Sequence, residues 1–293
     1  MAINTSAALS PDILLNPSPG CINLSSFSTL DSLINSMFSS GEQGFAYDPN
    51  DLSTMFQDAA GTIPVTGVGQ AVGLILDKSG RNNHASQTTS ASRPILQRNA
   101  TTGAYYLEFD GVDDYLQTNS INFTATDKVS LFVAQKTNVP SSLGSLVETG
   151  SSYTNPTGGF GLYAPAGDAS EGSVPTVGGG ISGGGGFFSF RTILSNNFAS
   201  TVSLRADLST ALKADQARIR VNGESKVSTA SSTVVAGSKF STVPVYIGRR
   251  GGTQLPFKGR IYSLICVGRL TSENETAAIE KELAKRVGVT LSV

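Results

Sequence analysis

The chain has no tryptophan, a single histidine (His84), two cysteines and three methionines among 293 residues. A zinc site draws its ligands from His, Cys and carboxylates at characteristic spacing, and one histidine with two remote cysteines does not supply them. Cys21 and Cys266 form no disulfide framework, so reduced thiols are expected. Cys266 lies in the apolar run 261–267, the setting of a buried structural thiol. Charge is scarce and balanced, 21 basic residues against 22 acidic, and only the Arg249-Arg250 pair is locally basic. Without a basic stripe to follow a phosphate backbone, nucleic acid is not expected as a partner. No apolar run approaches the roughly 20 residues that span a bilayer, and the first residues lack a charged segment followed by an apolar one. Neither a membrane partner nor Sec export is expected.

The apolar content, 39%, is enough for one large core. β-Sandwiches reach roughly 200 to 250 residues as one domain, so length does not force a split. Composition instead separates an N-terminal arm, residues 1–43, from a β domain, residues 44–293. The arm is rich in Ser, Asn and Pro and holds one amphipathic helix. Leu30, Leu33, Ile34, Met37 and Phe38 recur at i, i+3, i+4, i+7 and i+8, with Ser28 placed to cap and Gly41 to stop. That stripe must pack on something: the chain's own sandwich, or a neighbouring protein for which it would be an assembly arm.

Residues 48–51 lead into a short helix carrying Leu52, Met55 and Phe56, after which strand periods take over. Tyr105, Leu107 and Phe109 alternate with Tyr106, Glu108 and Asp110; residues 129–134 are nearly all apolar; Val243, Val245 and Ile247 alternate again. Residues 217–224 end a period-two pattern in Asn222-Gly223, the pair suited to the positive φ angles of a type I′ hairpin. Residues 165–186, with glycine at 178–180 and 183–186, are expected to form a long surface loop. No Lys-Ser/Thr follows these glycines, so they are not a phosphate cradle. Ser272 and Glu275 have capping-box spacing, and Ile279, Leu283 and Val287 give the helix behind them an apolar face that Gly288 closes. Many short strands with little helix between them predict antiparallel sheets packed face to face.

Several segments in order, Asp77-Lys78-Ser79-Gly80-Arg81-Asn82-Asn83, the run 106–115 (YLEFDGVDDY), Val221-Asn222-Gly223, Tyr246-Ile247-Gly248-Arg249 and Phe257-Lys258-Gly259-Arg260-Ile261-Tyr262, resemble laminin-G-like domains of the concanavalin A-like superfamily. The resemblance spans about residues 70–290. It implies a jelly-roll β-sandwich with a short C-terminal helix. A narrower resemblance, residues 47–58 (YDPNDLSTMFQD) with Gly69-Gln70-Ala71-Val72-Gly73, is to segments that precede such domains in tailed-bacteriophage and prophage proteins. It implies a virion component, made in the host cytoplasm: a tail fibre, head fibre or capsid decoration that contacts other virion proteins and works as repeated copies.

Glucanases of this superfamily carry their acids as Glu-x-Asp-x-x-Glu, and Glu108, Asp110 and Asp113 approximate that pattern. The third acid is Asp, it falls in a Gly-containing turn, and no tryptophan platform exists, so binding rather than catalysis is expected. Asp77, Asp110, Asp113 and Asp114 are candidate calcium ligands, because they offer hard oxygens and related domains bind calcium at sandwich rims. Tyr153, Phe160 and Tyr163, beside the glycine-rich segment, are candidate platforms for a host surface glycan.

Overall fold

The structure is a computed structural model and describes residues 29–138, 143–155, 157–166, 176–194, 198–226 and 233–292. Ser28, Cys21 and the rest of residues 1–28, with residues 167–175 of the glycine-rich segment, lie outside the described residues.

The strands are, in chain order, β1 (Gly44–Tyr47), β2 (Met55–Phe56), β3 (Leu74–Ile75), β4 (Ala85–Ser86), β5 (Ile95–Arg98), β6 (Tyr105–Asp110) and β7 (Leu116–Thr118). Next come β8 (Ile121–Asn122), β9 (Lys128–Thr137), β10 (Ser145–Thr149), β11 (Phe160–Tyr163), β12 (Thr176–Gly183) and β13 (Gly186–Ile193). The last are β14 (Ala199–Asp207), β15 (Ala217–Val221), β16 (Glu224–Lys226), β17 (Thr242–Val243), β18 (Val245–Ile247) and β19 (Lys258–Val267). Helices are α1 (Leu30–Met37), α2 (Lys213–Gln216) and α3 (Glu273–Val287).

Two antiparallel sheets hold most of these strands. The first runs β16-β15-β14-β9-β19-β6-β5, with β1 also paired to β19, and the second runs β13-β12-β11-β10-β18-β7-β4-β3-β2. Their inner faces interleave Leu107, Phe109, Leu131, Val133, Val147, Leu162, Ile181, Val202 and Ile247 into the main core. The chain is thus the expected antiparallel β-sandwich, closed by a C-terminal helix. That helix is set as its sequence predicts: Ser272 and Glu275 form both halves of the capping box, and Gly288 ends it at φ +79°.

The apolar stripe of the first helix has its partner inside the same subunit. Leu30, Leu33, Ile34, Met37 and Phe38 are all buried and share a second core with Phe132, Tyr262, Ile265, Ile279, Leu283 and Val287, on the outer face of the first sheet. Their expected use as an assembly arm is corrected on this ground, because a face already desolvated by its own domain cannot also cover a neighbour. Thr29 caps α1, its Oγ1 accepting from Ser32 N at 3.3 Å. The second core also explains the apolar run in β9: Val129, Leu131 and Val133 face the main core while Phe132 and Ala134 face the helices.

Two other expectations change. The short helix near Leu52 is a 3-10 turn, Leu52–Thr54, and Met55 and Phe56 pass into β2. The glycines at 178–180 and 183 are strand residues rather than loop: β12 and β13 form a hairpin in which Gly183 faces Gly186 across Gly184 and Gly185, at φ +60° and +87°. The same turn chemistry appears where it is expected, at Asn222 and Gly223 (φ +51° and +81°), where Val221 faces Glu224.

Candidate functional site: the outer face of the second sheet

Residues directly opposed in a ladder share a face, and successive residues alternate. One row across the second sheet, Leu116, Ile247, Val147, Leu162 and Phe190, is buried in the main core. The adjacent row, Ser86, Gln117, Tyr246, Glu148, Gly161, Gly180 and Ser189, therefore faces outward. Tyr115, two residues from Gln117, joins it: the Tyr115 and Tyr246 rings lie 6.3 Å apart at 42°, both half-buried. Gly252 lets a loop come close to this pair, since a Cβ there would stand 3.0 Å from the Tyr115 ring.

Beside the two rings sits a charged network. Glu148, fully buried, accepts from Tyr163 Oη at 2.6 Å, from Tyr153 N at 2.8 Å and from Arg250 Nε at 2.8 Å. Arg250 Nη2 donates to Tyr163 Oη at 3.0 Å, and its guanidinium lies 5.4 Å from the centre of the Tyr163 ring. Each buried polar atom thus has a partner, which is what makes a buried carboxylate tolerable. Burial pushes the Tyr163 hydroxyl well above its usual range, and Glu148 adds to it. Burial opposes the charge on Arg250, yet the hydrogen bonds and charges of Glu148 and Tyr163 together outweigh this and raise its pKa. Tyr153 packs over Gly180, where a Cβ would lie 2.5 Å from the ring. The glycines of β12 let an aromatic ring lie directly on the sheet.

Of the three aromatic candidates read from sequence, Phe160 and Tyr163 are corrected. Phe160 is 1% exposed and packs edge-on against Phe123 and Phe240 in the main core. Tyr163 is 6% exposed with its hydroxyl engaged twice, so its ring is not offered to a ligand. Tyr153 lies on the outer face, half-buried, 6.2 Å from Tyr163. Tyr115, Gln117, Glu148, Tyr246 and Arg250 were not singled out from sequence as site residues. The alternation of Val245 and Ile247 already placed Tyr246 on the opposite face, and Arg250 belongs to the one locally basic pair.

The candidate calcium ligands divide. Asp110, Asp113 and Asp114 bring carboxylate oxygens within 4.8 Å of one another. Asp77 instead accepts from Ala46 N, Ser79 N, Ser79 Oγ and Asn83 N, fastening β1 to the 77–83 loop. The three clustered acids are largely used by their own turn: Asp110 Oδ1 accepts from Val112 N (2.7 Å), Asp114 Oδ2 from Asp110 N (3.0 Å) and Asp113 Oδ2 from Ser92 Oγ (2.6 Å). With one oxygen of each acid already accepting a hydrogen bond, a calcium ion here would have to draw half or more of its six to eight oxygens from backbone carbonyls and water. Burial, with Asp110 and Asp113 adding, pushes the Asp114 carboxyl up to about 7.

A separate groove of about 660 Å³ runs between α3 and the β15–β16 turn, lined by Ala277, Ala284, Val289 and Leu291 with Arg220 and Lys281. It contains no aromatic ring.

No family model matches the chain, and no curated protein matches it. Among solved structures, the chain is similar to the Ruminococcus gnavus IT-sialidase CBM40 bound to alpha2,3 sialyllactose, at 19% identity and a TM-score of 0.38, over 56% of this chain and 97% of that one. It is similar to the botulinum neurotoxin serotype D binding domain at 10% identity and a TM-score of 0.50, over 82% of this chain and 51% of that one. An arabinofuranosidase complexed with arabinofuranosyl-alpha-1,2-xylobiose matches at 12% identity and a TM-score of 0.51, over 87% of this chain and 65% of that one. At these identities the likeness is one of fold alone, a β-sandwich.

Proposed function

We propose that the chain is a non-enzymatic, lectin-like module that takes a saccharide on the outer face of its second sheet. The observation that carries this is the Tyr115–Tyr246 pair, two rings held 6.3 Å apart on an outward face beside exposed Gln117 and the partly exposed Arg250. A pyranose offers an apolar C–H face for such rings and hydroxyls for the amide and guanidinium around them. Support for binding over hydrolysis comes from the position of Glu108. Glu108 lies within the first sheet, cross-strand from Arg260, whereas Tyr246 lies on the second.

The resemblance of residues 47–58 and 69–73 to phage segments supports the further reading that this module is displayed on a tailed-bacteriophage virion, in several copies, as a fibre or capsid-decoration component. Its binding face would then meet a host surface glycan. Attachment to the particle would use a surface other than the buried α1 stripe.

The test is a glycan array probed with the wild-type protein and Tyr246→Ala. Retention of one saccharide class, weakened about tenfold by the substitution (~1.4 kcal/mol), is expected. Saccharide retention no higher than background for the wild type would end the reading. Immunogold labelling of purified particles tests the virion assignment separately.

A further inference from the structure

The charged network beside the aromatic pair bears on which saccharides the face accepts, an inference that rests on the binding reading above. An arginine clamps a carboxylate best through the edge of its guanidinium fork that carries Nε and Nη2, two parallel donors matched to two oxygens. In Arg250 that edge is taken: Nε donates to Glu148 at 2.8 Å and Nη2 to Tyr163 Oη at 3.0 Å. The Arg250 charge also has its counter-charge in place, because Glu148 is fully buried and has no other cation against it among the described residues.

A second, independent feature acts in the same direction. Tyr115 directly follows the turn holding Asp110, Asp113 and Asp114, whose carboxylate oxygens lie within 4.8 Å of one another. An anionic ligand resting on Tyr115 would approach those acids. Arg249 is turned to backbone: its Nη2 donates to Thr253 O at 3.3 Å, and its Nη1 stands 3.5 Å from Asp113 O.

We infer that Glu148 is a specificity-determining residue, an internal counter-charge that turns Arg250 from a carboxylate receptor into a hydroxyl donor, so that the face selects neutral saccharides over uronate-containing or sialylated ones. Asp110 and Asp113 in the adjoining turn reinforce that choice by repelling anions. Glu148 does not need to touch the sugar, and it acts through Arg250.

The experiment immobilises neutral oligosaccharides beside uronate-containing and sialylated ones, and compares the acidic-to-neutral retention ratio of the wild-type protein with that of Glu148→Gln. Gln keeps the shape and an acceptor for Tyr153 N but removes the charge. The wild type is expected to retain neutral sugars preferentially, and Glu148→Gln to raise the ratio about tenfold, the scale of one charge freed in a partly screened site. Because a buried carboxylate is replaced, the double variant Asp110→Asn/Asp113→Asn, on the exposed turn, is the second arm, with a smaller rise in the same direction. A wild type that retains acidic sugars as well as or better than neutral ones, or ratios unmoved in both variants, overturns the inference while leaving saccharide binding intact. Absence of any retained sugar overturns both.

Discussion

Asp114 offers a prediction about how stability varies with pH. Its carboxyl is 6% exposed, and burial, with the neighbouring Asp110 and Asp113 adding, lifts it from 3.8 to about 7, against the lowering effect of the Asp110 N–H. A group whose folded pKa lies above its unfolded value binds more protons in the folded state between the two. Its contribution is therefore fully present below about pH 4 and is lost as pH rises through about 7. Full conversion would give about 4 kcal/mol; solvent reaching the adjacent turn screens this, leaving roughly 1 to 2 kcal/mol. For a protein of this size that corresponds to about 2 to 6 °C in melting temperature. The assay is a series of thermal melts from pH 4.5 to 8 for wild type and Asp114→Asn, whose side chain is close in shape and does not titrate. The wild-type melting temperature should fall relative to the variant across this window. Parallel curves would refute the assignment of Asp114 as a carboxyl kept protonated by its surroundings. The same melts with and without added calcium check the donor-set argument, which expects no calcium-dependent rise.

Three further outcomes follow from the packing. Leu33→Ala should cost about 2 to 5 kcal/mol in denaturant melts, since Leu33 is 2% exposed in the second core, whereas exposed Asn35→Ala should cost little; an unchanged Leu33→Ala melt would return the stripe to a docking role. Gly180→Ala places a Cβ 2.5 Å from the Tyr153 ring and should cost about 1 to 3 kcal/mol while displacing that ring, read as a lower melting temperature and a changed tyrosine near-UV signal. Burial pushes the Cys266 thiol up and seals it in the core, so in a Cys21→Ser background it should stay unlabelled by a thiol reagent until denaturant is added. Labelling at the rate of a free thiol in the native protein would contradict that burial.

The architecture was legible where local chemistry and fold agree. The Asn222-Gly223 turn, the Ser272 capping box and the alternation along β6 and β18 are each decided within a few residues. The glycine-rich segment was misread because composition does not reveal what stands over a strand: Gly180 is a strand residue whose missing Cβ makes room for Tyr153, a contact 27 residues away in sequence. The α1 stripe showed that something must cover it, but identifying the cover required knowing that β9 presents Phe132 and Ala134 outward. The candidate site was the least legible part. Phe160 and Tyr163 lie beside glycines as an exposed platform would, yet the pleat turns Phe160 inward, and Glu148 with Arg250 closes over the Tyr163 hydroxyl across 102 residues of sequence. Tyr115 and Tyr246 meet only because β7 and β18 are neighbours in the sheet, a pairing no local pattern states.

The most direct check of the binding face is an amide correlation spectrum of the isotopically labelled protein, recorded during titration with an oligosaccharide that the array retains. The account predicts the largest shifts at Tyr115, Gln117, Tyr246 and the loop around Arg250, with the α3 groove near Lys281 silent. Shifts concentrated in that groove, or on the β15–β16 turn, with the Tyr115–Tyr246 pair unmoved, would contradict it.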